Sequence, residues 1–373
     1  MDVTVEGFVA SGFEPVRDAF ARNFADRLES GASFAAVIGD EPVVNIWAGH
    51  ADRAKTRPWT HETLVPVHST TKPIAALIVA MLVEQGKLDF DEPVASVWSE
   101  FGAEGKDRVT LAQALSHQAG VPGFVDRIDP DLWLDPPALA AALAALTPLW
   151  PPGTACGYHA MTYGYIAGEI VRRVSPRSLG AILREDICEP LNLDFWIGLP
   201  DSEHARCADQ QLPATLPDFG EMTDIKRATF LAPWSSPRRI DAAWRRAEIP
   251  SANGHGTALA VARLFGVFAN AGKIGETRII DPETFAELSA QRINGDDLVM
   301  PFRMDWAAGV MRNNNKIYGP NTLTLAHAGR GGSFGLGDPT RGLSAAYVMN
   351  KLAPALQTDE RGQRLIQALY ACC

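Results

Sequence analysis

Apolar residues recur every four positions at Val16, Phe20, Phe24 and Leu28, which predicts an amphipathic helix over roughly 14–29. Two short apolar stretches follow, 34–38 and 43–47, separated by Gly39-Asp40, a pairing that reads as a hairpin. The far end of the chain mirrors this pattern. Segments 322–326 and 343–349 are strand-like, and 359–370 has helical spacing. The middle is different. Segment 73–85 is apolar almost all round and stops at Gly86, as a buried helix would. Thr110 and Gln113 form a capping box that opens a second helix. Segments 163–174 and 257–270 are further helices, while 200–256 is rich in Pro, Asp and Arg and predicts a long loop region over a site. No internal repeat or low-complexity tract is visible.

This order predicts an α/β (α+β) fold. An antiparallel sheet is assembled from both termini, with the terminal helices on one face and a mostly helical insertion between. The expected division is a discontinuous α/β domain, 1–66 with 300–373, and a mainly helical domain, 67–299, with the site at their junction. At 373 residues the chain is long enough to bury its core without disulfide staples.

Charge and cysteine content narrow the partners. Asp+Glu 44 against Lys+Arg 34 leaves −10, and basic residues cluster only in short pairs such as Arg238-Arg239 and Arg245-Arg246. A nucleic-acid partner is therefore not expected. The acidic start Met1-Asp2-Val3-Thr4-Val5-Glu6 lacks a positive n-region, and the longest apolar run, 74–83, is half of the ~20 residues a bilayer requires. The expectation is a cytoplasmic protein without membrane contact. Cys156, Cys188, Cys207, Cys372 and Cys373 show no metal-ligand spacing, and their odd count fits a reducing compartment.

Several motifs compete for the chemistry. Gly331-Gly332-Ser333-Phe334-Gly335 matches the nucleophile elbow of α/β-hydrolases formally, but that arrangement needs a later histidine, and none follows His327. Ser333 is read instead as part of a glycine-rich bend between strands. Gly266 to Lys273 has the wrong length for a phosphate loop, and Gly335-Leu336-Gly337 lacks a third glycine. No metal or cofactor is expected. Ser69-Thr70-Thr71-Lys72 precedes the apolar helix, and residues i and i+3 share a helical face, so Ser69 Oγ and Lys72 Nζ can meet. The helix dipole there favours a deprotonated nucleophile and a neutral amine.

Taken with Leu115-Ser116-His117-Gln118-Ala119-Gly120, with Pro152-Gly153-Thr154 followed by Tyr158, and with Leu325-Ala326-His327-Ala328-Gly329, this motif resembles the superfamily of class C β-lactamases, penicillin-binding proteins and family VIII carboxylesterases. Order, spacing and flanks agree over roughly 10–370. The resemblance implies a β-lactamase/transpeptidase-like fold and a Ser69 nucleophile with Lys72 and Tyr158 as general base and acid. It also implies backbone N–H groups of Ser69 and Arg330 as oxyanion donors. His327, Ala328, Gly329 and Asn253 are further candidates for substrate contact. His68 is read as a packed histidine, His117 as fixing its loop, and Trp133, Trp150, Trp234 and Trp244 as candidate pocket walls.

The departures from the family pattern favour esters. Tyr158-His159-Ala160 lacks the asparagine of lactamases, and His327 stands where they carry a lysine for the lactam carboxylate. Losing such a charge-assisted contact, ~1.5–3 kcal/mol, weakens anionic substrates. The expected substrate is a small-molecule ester of short acyl chain. β-lactamase or D-alanyl-D-alanine carboxypeptidase activity, acyl transfer, and a non-catalytic binding role stay as alternatives. Whether Tyr158, ionised by a cationic Lys72, or a neutral Lys72 is the base is open at this stage, as is the oligomeric state.

Overall fold

In the computed structural model residues 3–237 and 239–373 are described. Met1, Asp2 and Arg238, which entered the charge reading, lie outside the described residues.

Nine strands form one antiparallel sheet: β1 (Glu6–Val9), β2 (Gly31–Ile38), β3 (Glu41–Gly49), β4 (Ile293–Asp296), β5 (Arg303–Trp306), β6 (Met311–Arg312), β7 (Leu325–Ala328), β8 (Phe334–Asp338) and β9 (Leu343–Met349). Their order, β1-β3-β2-β9-β8-β7-β6-β5-β4, joins the N-terminal hairpin to the C-terminal strands through β2 and β9, as the sequence pattern predicts. Gly39 turns the hairpin with a positive φ of 61°.

Helices cover both faces. Terminal helices α1 (Glu14–Ala25) and α6 (Glu360–Cys372) pack on each other and on one face, where Phe20, Leu365 and Leu369 meet Phe34 and Ala36 of β2. The opposite face, with Ala35 and Val37, is covered by α5 (Ala258–Ala269). That is why 31–38 reads as a continuous apolar run without alternation. Gly335 of β8 is required by this packing: a Cβ there would lie 2.4 Å from the Phe265 ring.

Before residue 300, β4 already forms the sheet's edge, and α5, within 67–299, packs on the sheet. The helical part proper centres on α2 (Lys72–Glu84), with every side chain from Lys72 to Ala80 buried, packed against α4 (Thr162–Val174). Between them in sequence, α3 (Leu111–Leu115) opens with both hydrogen bonds of the predicted capping box. Region 200–256 is less irregular than expected, with short helical turns at Asp201–Arg206, Asp224–Lys226 and Ala242–Arg246.

Behind β9, Arg361 is buried and donates to Glu29 Oε2 at 3.2 Å, to Asp359 Oδ2 at 2.6 Å and to the carbonyls of Lys351 and Gly331 at 2.7 and 2.8 Å. Burial pushes the Glu29 carboxyl up to about 8, outweighing the attraction of Arg361; Asp359 adds to the rise and Lys351 opposes it. An unfolded glutamic acid releases its proton near ~4.3. Between these values the folded chain holds a proton that the unfolded chain does not. The group's contribution to stability is therefore complete below ~4.3 and lost as pH rises through about 8. Glu29→Gln should flatten this slope. Urea midpoints measured at about pH 5 and about pH 8.5 should fall less for the variant than for wild type; equal falls would show that Glu29 is not protonated in the fold.

Candidate active site

Ser69 sits in a short 3₁₀ turn, His68–Thr71, that runs directly into α2 with Lys72 as its first residue. The turn is tied to the loop before α5. Val67 N–H donates to Gly254 O at 2.8 Å, and Thr71 Oγ1 accepts from Gly254 N–H at 3.0 Å. Ser69 is half-buried, whereas Lys72 has no exposed surface. Lys72 Nζ lies 3.1 Å from Ser69 Oγ, 2.8 Å from Ala160 O and 3.0 Å from Ser251 O. These partners are a hydroxyl and two carbonyls, none of them charged. Burial without a counter-charge holds the amine well below the usual lysine range.

Tyr158 completes the group. Its ring lies 4.8 Å from Lys72 Nζ, and the Ser69 hydroxyl acts on its phenol. Burial raises the phenol above its ordinary value, and the Ser69 contact offsets only part of the rise. Both shifts disfavour the charged forms, which works against an ion pair between Lys72 and Tyr158. The Tyr158 ring stacks on Trp306 at 5.9 Å and 8°. Its loop is fastened at three successive residues. His117 O accepts from Gly157 N–H at 3.0 Å, Asp297 Oδ1 accepts from Tyr158 N–H at 3.0 Å, and His117 Nδ1 accepts from His159 N–H at 3.1 Å. His117 therefore fixes its loop, as expected.

The remaining candidates divide. Arg330 follows Gly329 at the end of β7 and is exposed, in the loop that faces the Ser69 turn. Ala328 and Gly329 are buried beneath it. His327 is buried among Tyr158 and Trp306, its Nδ1 donating to Ala328 O at 2.7 Å, and burial pushes it down to about 3. It is a neutral interior ring. Asn253 is not a pocket residue: it is fully buried, accepting from Ile249 N–H and donating to the carbonyls of Trp244 and Ala247. The tryptophans are pins as well. Trp133 donates to Trp234 O, Trp234 to Phe124 O and Trp150 to Ala155 O, and Trp244 is packed in the helical core. The wall beside Tyr158 comes instead from Phe230, 6.3 Å away and backed by Phe219.

His68 bonds Gln210, and Ser333 is buried with its hydroxyl donating to Val67 O at 3.1 Å. Among the described residues no group of three or more His, Cys, Asp or Glu side chains is placed to hold a metal, and no helix is long and apolar enough to cross a membrane.

A serine at the head of a buried helix, a lysine one turn on and a tyrosine from a separate loop thus meet beside a sheet strand. The Beta-lactamase family model matches residues 20–369. The chain belongs to the beta-lactamase family. This beta-lactamase-family hydrolase is 33% identical over 367 residues to "Esterase/beta-lactamase LipL" of Mycobacterium tuberculosis, covering 94% of this chain and 84% of that one. A penicillin-binding-protein homologue from Caulobacter crescentus superposes with a TM-score of 0.97 at 52% identity, covering 99% of this chain and 100% of that chain. A family VIII carboxylesterase does so with 0.93 at 42% identity and the same coverages. The β-lactamase/transpeptidase-like fold expected from the motifs is the fold of the chain.

Asp297, which no motif indicated, accepts from three backbone N–H groups, those of Tyr158, Val299 and Met300, through one carboxyl oxygen. Asp297→Ala leaves three buried donors unpaired, at ~1–3 kcal/mol each before relaxation. Chemical denaturation should give a loss of roughly 3 kcal/mol or more in this hydrolase. A stability within about 0.5 kcal/mol of wild type would remove Asp297 from the support of the Tyr158 loop.

Proposed function

We propose that this protein is a serine carboxylesterase acting on small neutral esters of short acyl chain. The nucleophile is Ser69, the general base is a neutral Lys72, and Tyr158 is a protonated proton carrier. The observation that carries the reading is the hydrogen-bond count at Lys72. A carbonyl can only accept, so Ala160 O and Ser251 O take two N–H bonds of the amine. In the neutral form the remaining position is the lone pair, and the group 3.1 Å away is the Ser69 hydroxyl.

In acylation Ser69 Oγ attacks the ester carbonyl as its proton passes to Lys72 Nζ. The oxyanion is met by the N–H groups of Ser69 and Arg330. Tyr158 gives its proton to the departing alkoxide and recovers one from Lys72. Water, deprotonated along the same path, then releases the acid and restores Ser69. Removing one oxyanion donor in such a site typically costs ~10²–10³ in rate.

The preference for esters over lactams rests on the third motif, where a neutral, buried His327 occupies the place of the carboxylate-binding lysine. The similarity to a family VIII carboxylesterase supports the same reading.

Ser69→Ala should abolish hydrolysis of p-nitrophenyl butyrate, and a fluorophosphonate should add to Ser69 by mass spectrometry; an adduct on Ser333 would overturn the nucleophile. Wild-type efficiency on that ester should exceed efficiency on benzylpenicillin by at least ~10-fold, since one lost charge-assisted contact is worth about that much. Comparable efficiencies would reject the esterase reading.

The base is testable by pH. Because burial lowers Lys72 and raises Tyr158, activity should fall as pH drops through the Lys72 value, where the amine takes up a proton. Lys72→Ala should lose several orders of magnitude in kcat. Tyr158→Phe should also lose kcat yet keep the acid limb, and the double variant should be little worse than Lys72→Ala, because groups in one proton path are not additive. Disappearance of the acid limb in Tyr158→Phe would make tyrosine the base.

A further inference from the structure

The Gly-Gly-Ser-Phe-Gly stretch is unused by the mechanism, yet its serine is buried at the seam between the two parts of the active site. Ser333 Oγ donates to Val67 O at 3.1 Å, across 266 positions of sequence. Val67 caps the turn that carries Ser69, and its carbonyl also accepts from Thr70 N–H at 3.3 Å. At the other end, Ser333 O accepts from Gly329 N–H at 2.7 Å and closes the loop that contains Arg330. One residue therefore bonds the nucleophile turn with its side chain and the oxyanion loop with its main chain.

The seam has no slack. A Cβ at Gly329 would lie 2.1 Å from Val67 O and 2.3 Å from Ser333 Oγ, so the strand end touches the turn directly. The far side of the loop is held too. Gly331 O accepts from the buried Arg361 guanidinium at 2.8 Å and from Ala353 N–H at 3.0 Å. Gly331 and Gly332 turn the loop with φ of 86° and 111°, conformations closed to most side chains. With Arg361 behind it, the loop is held forward against the Ser69 turn by the Ser333 hydrogen bond to Val67 O.

We propose that Ser333 is a positioning residue for the oxyanion hole, fixing the separation between the N–H groups of Ser69 and Arg330 through its hydrogen bond to Val67 O. The inference rests on the assignment of Ser69 as nucleophile and of these two N–H groups as oxyanion donors. It gives the formal elbow motif a role without nucleophilic chemistry. Because the oxyanion exists only in the tetrahedral species, a misplaced donor weakens the transition state and leaves substrate binding nearly untouched.

The test compares Ser333→Ala with wild type on p-nitrophenyl butyrate and on a trifluoromethyl ketone that forms a tetrahedral adduct with the nucleophile. Expected is a fall in kcat of about tenfold or more, with KM within about twofold and ketone affinity falling in parallel with kcat/KM. A generally loosened fold would raise KM as well and would not single out the tetrahedral adduct. Wild-type kcat in Ser333→Ala, or a kcat loss with unchanged ketone affinity, overturns the proposal. Ser333→Cys, with its weaker donor, carries the same comparison if the alanine variant does not fold. Ser69→Ala run beside them separates the two failures. Activity surviving in Ser69→Ala removes the nucleophile assignment itself, whereas activity lost there but intact in Ser333→Ala removes only the role of Ser333.

Discussion

The rest of the site depends on burying one amine. Lys72 has no exposed surface and no carboxylate partner, so it cannot be held as a cation at ordinary cost. What the fold supplies instead is two carbonyls aimed at Nζ from loops far apart in sequence, those of Ala160 and Ser251. Each loop is in turn pinned by buried groups. Asp297 and His117 hold the Tyr158 loop, and Asn253 holds its own loop against Trp244 and Ala247. The hydrogen-bond partners of Lys72 Nζ are uncharged, so burial acts on the amine without a counter-charge.

Two cores meet at this amine. Tyr158, Trp306 and Ala328 belong to the core shared with the terminal helices, whereas α2 and α4 belong to the helical one. The proposed passage of one proton among Ser69, Lys72 and Tyr158 requires these bodies to keep register within a fraction of an ångström. The small sheet formed by Val65–Pro66, Phe195–Trp196 and His255–Gly256, and the contact of the Ser69 turn with β7, supply that register.

What the sequence reveals follows from whether a side chain or a backbone atom does the work. Elements with one dry face are legible: the helix at 14–29 is found at Glu14–Ala25, and the strand at 343–349 is found without shift. The edge strand β4 and its neighbours β5 and β6 are not, because they are short and their pairing rests on backbone bonds within Ile-Asn-Gly-Asp and similar stretches. Ser69, Lys72 and Tyr158 are legible through spacing and motif, and the structure brings all three together. The carbonyls of Ala160 and Ser251 have no side-chain signature, and neither has Asp297, one acid in the run Asp296-Asp297. Asn253 and the four tryptophans misled for the opposite reason. Their side chains look like ligand contacts, but Asn253, Trp133, Trp150 and Trp234 are bonded to backbone inside the fold and Trp244 is packed in the core.

The same accounting bears on substrate. Burial holds His68, His159, His255 and His327 at or below about 4, and disfavours the charged forms of Lys72 and Tyr158. In the proposed mechanism, charge enters this site when the ester carbonyl becomes an oxyanion and the Ser69 proton reaches Lys72. At that moment the two new charges are close together and of opposite sign, so each stabilises the other in a medium that screens weakly. A substrate that brings its own carboxylate disturbs this balance before reaction begins, since its desolvation must be met in the ground state. A neutral ester arrives without that cost, and the attraction between oxyanion and ammonium is kept for the transition state, where it lowers the barrier.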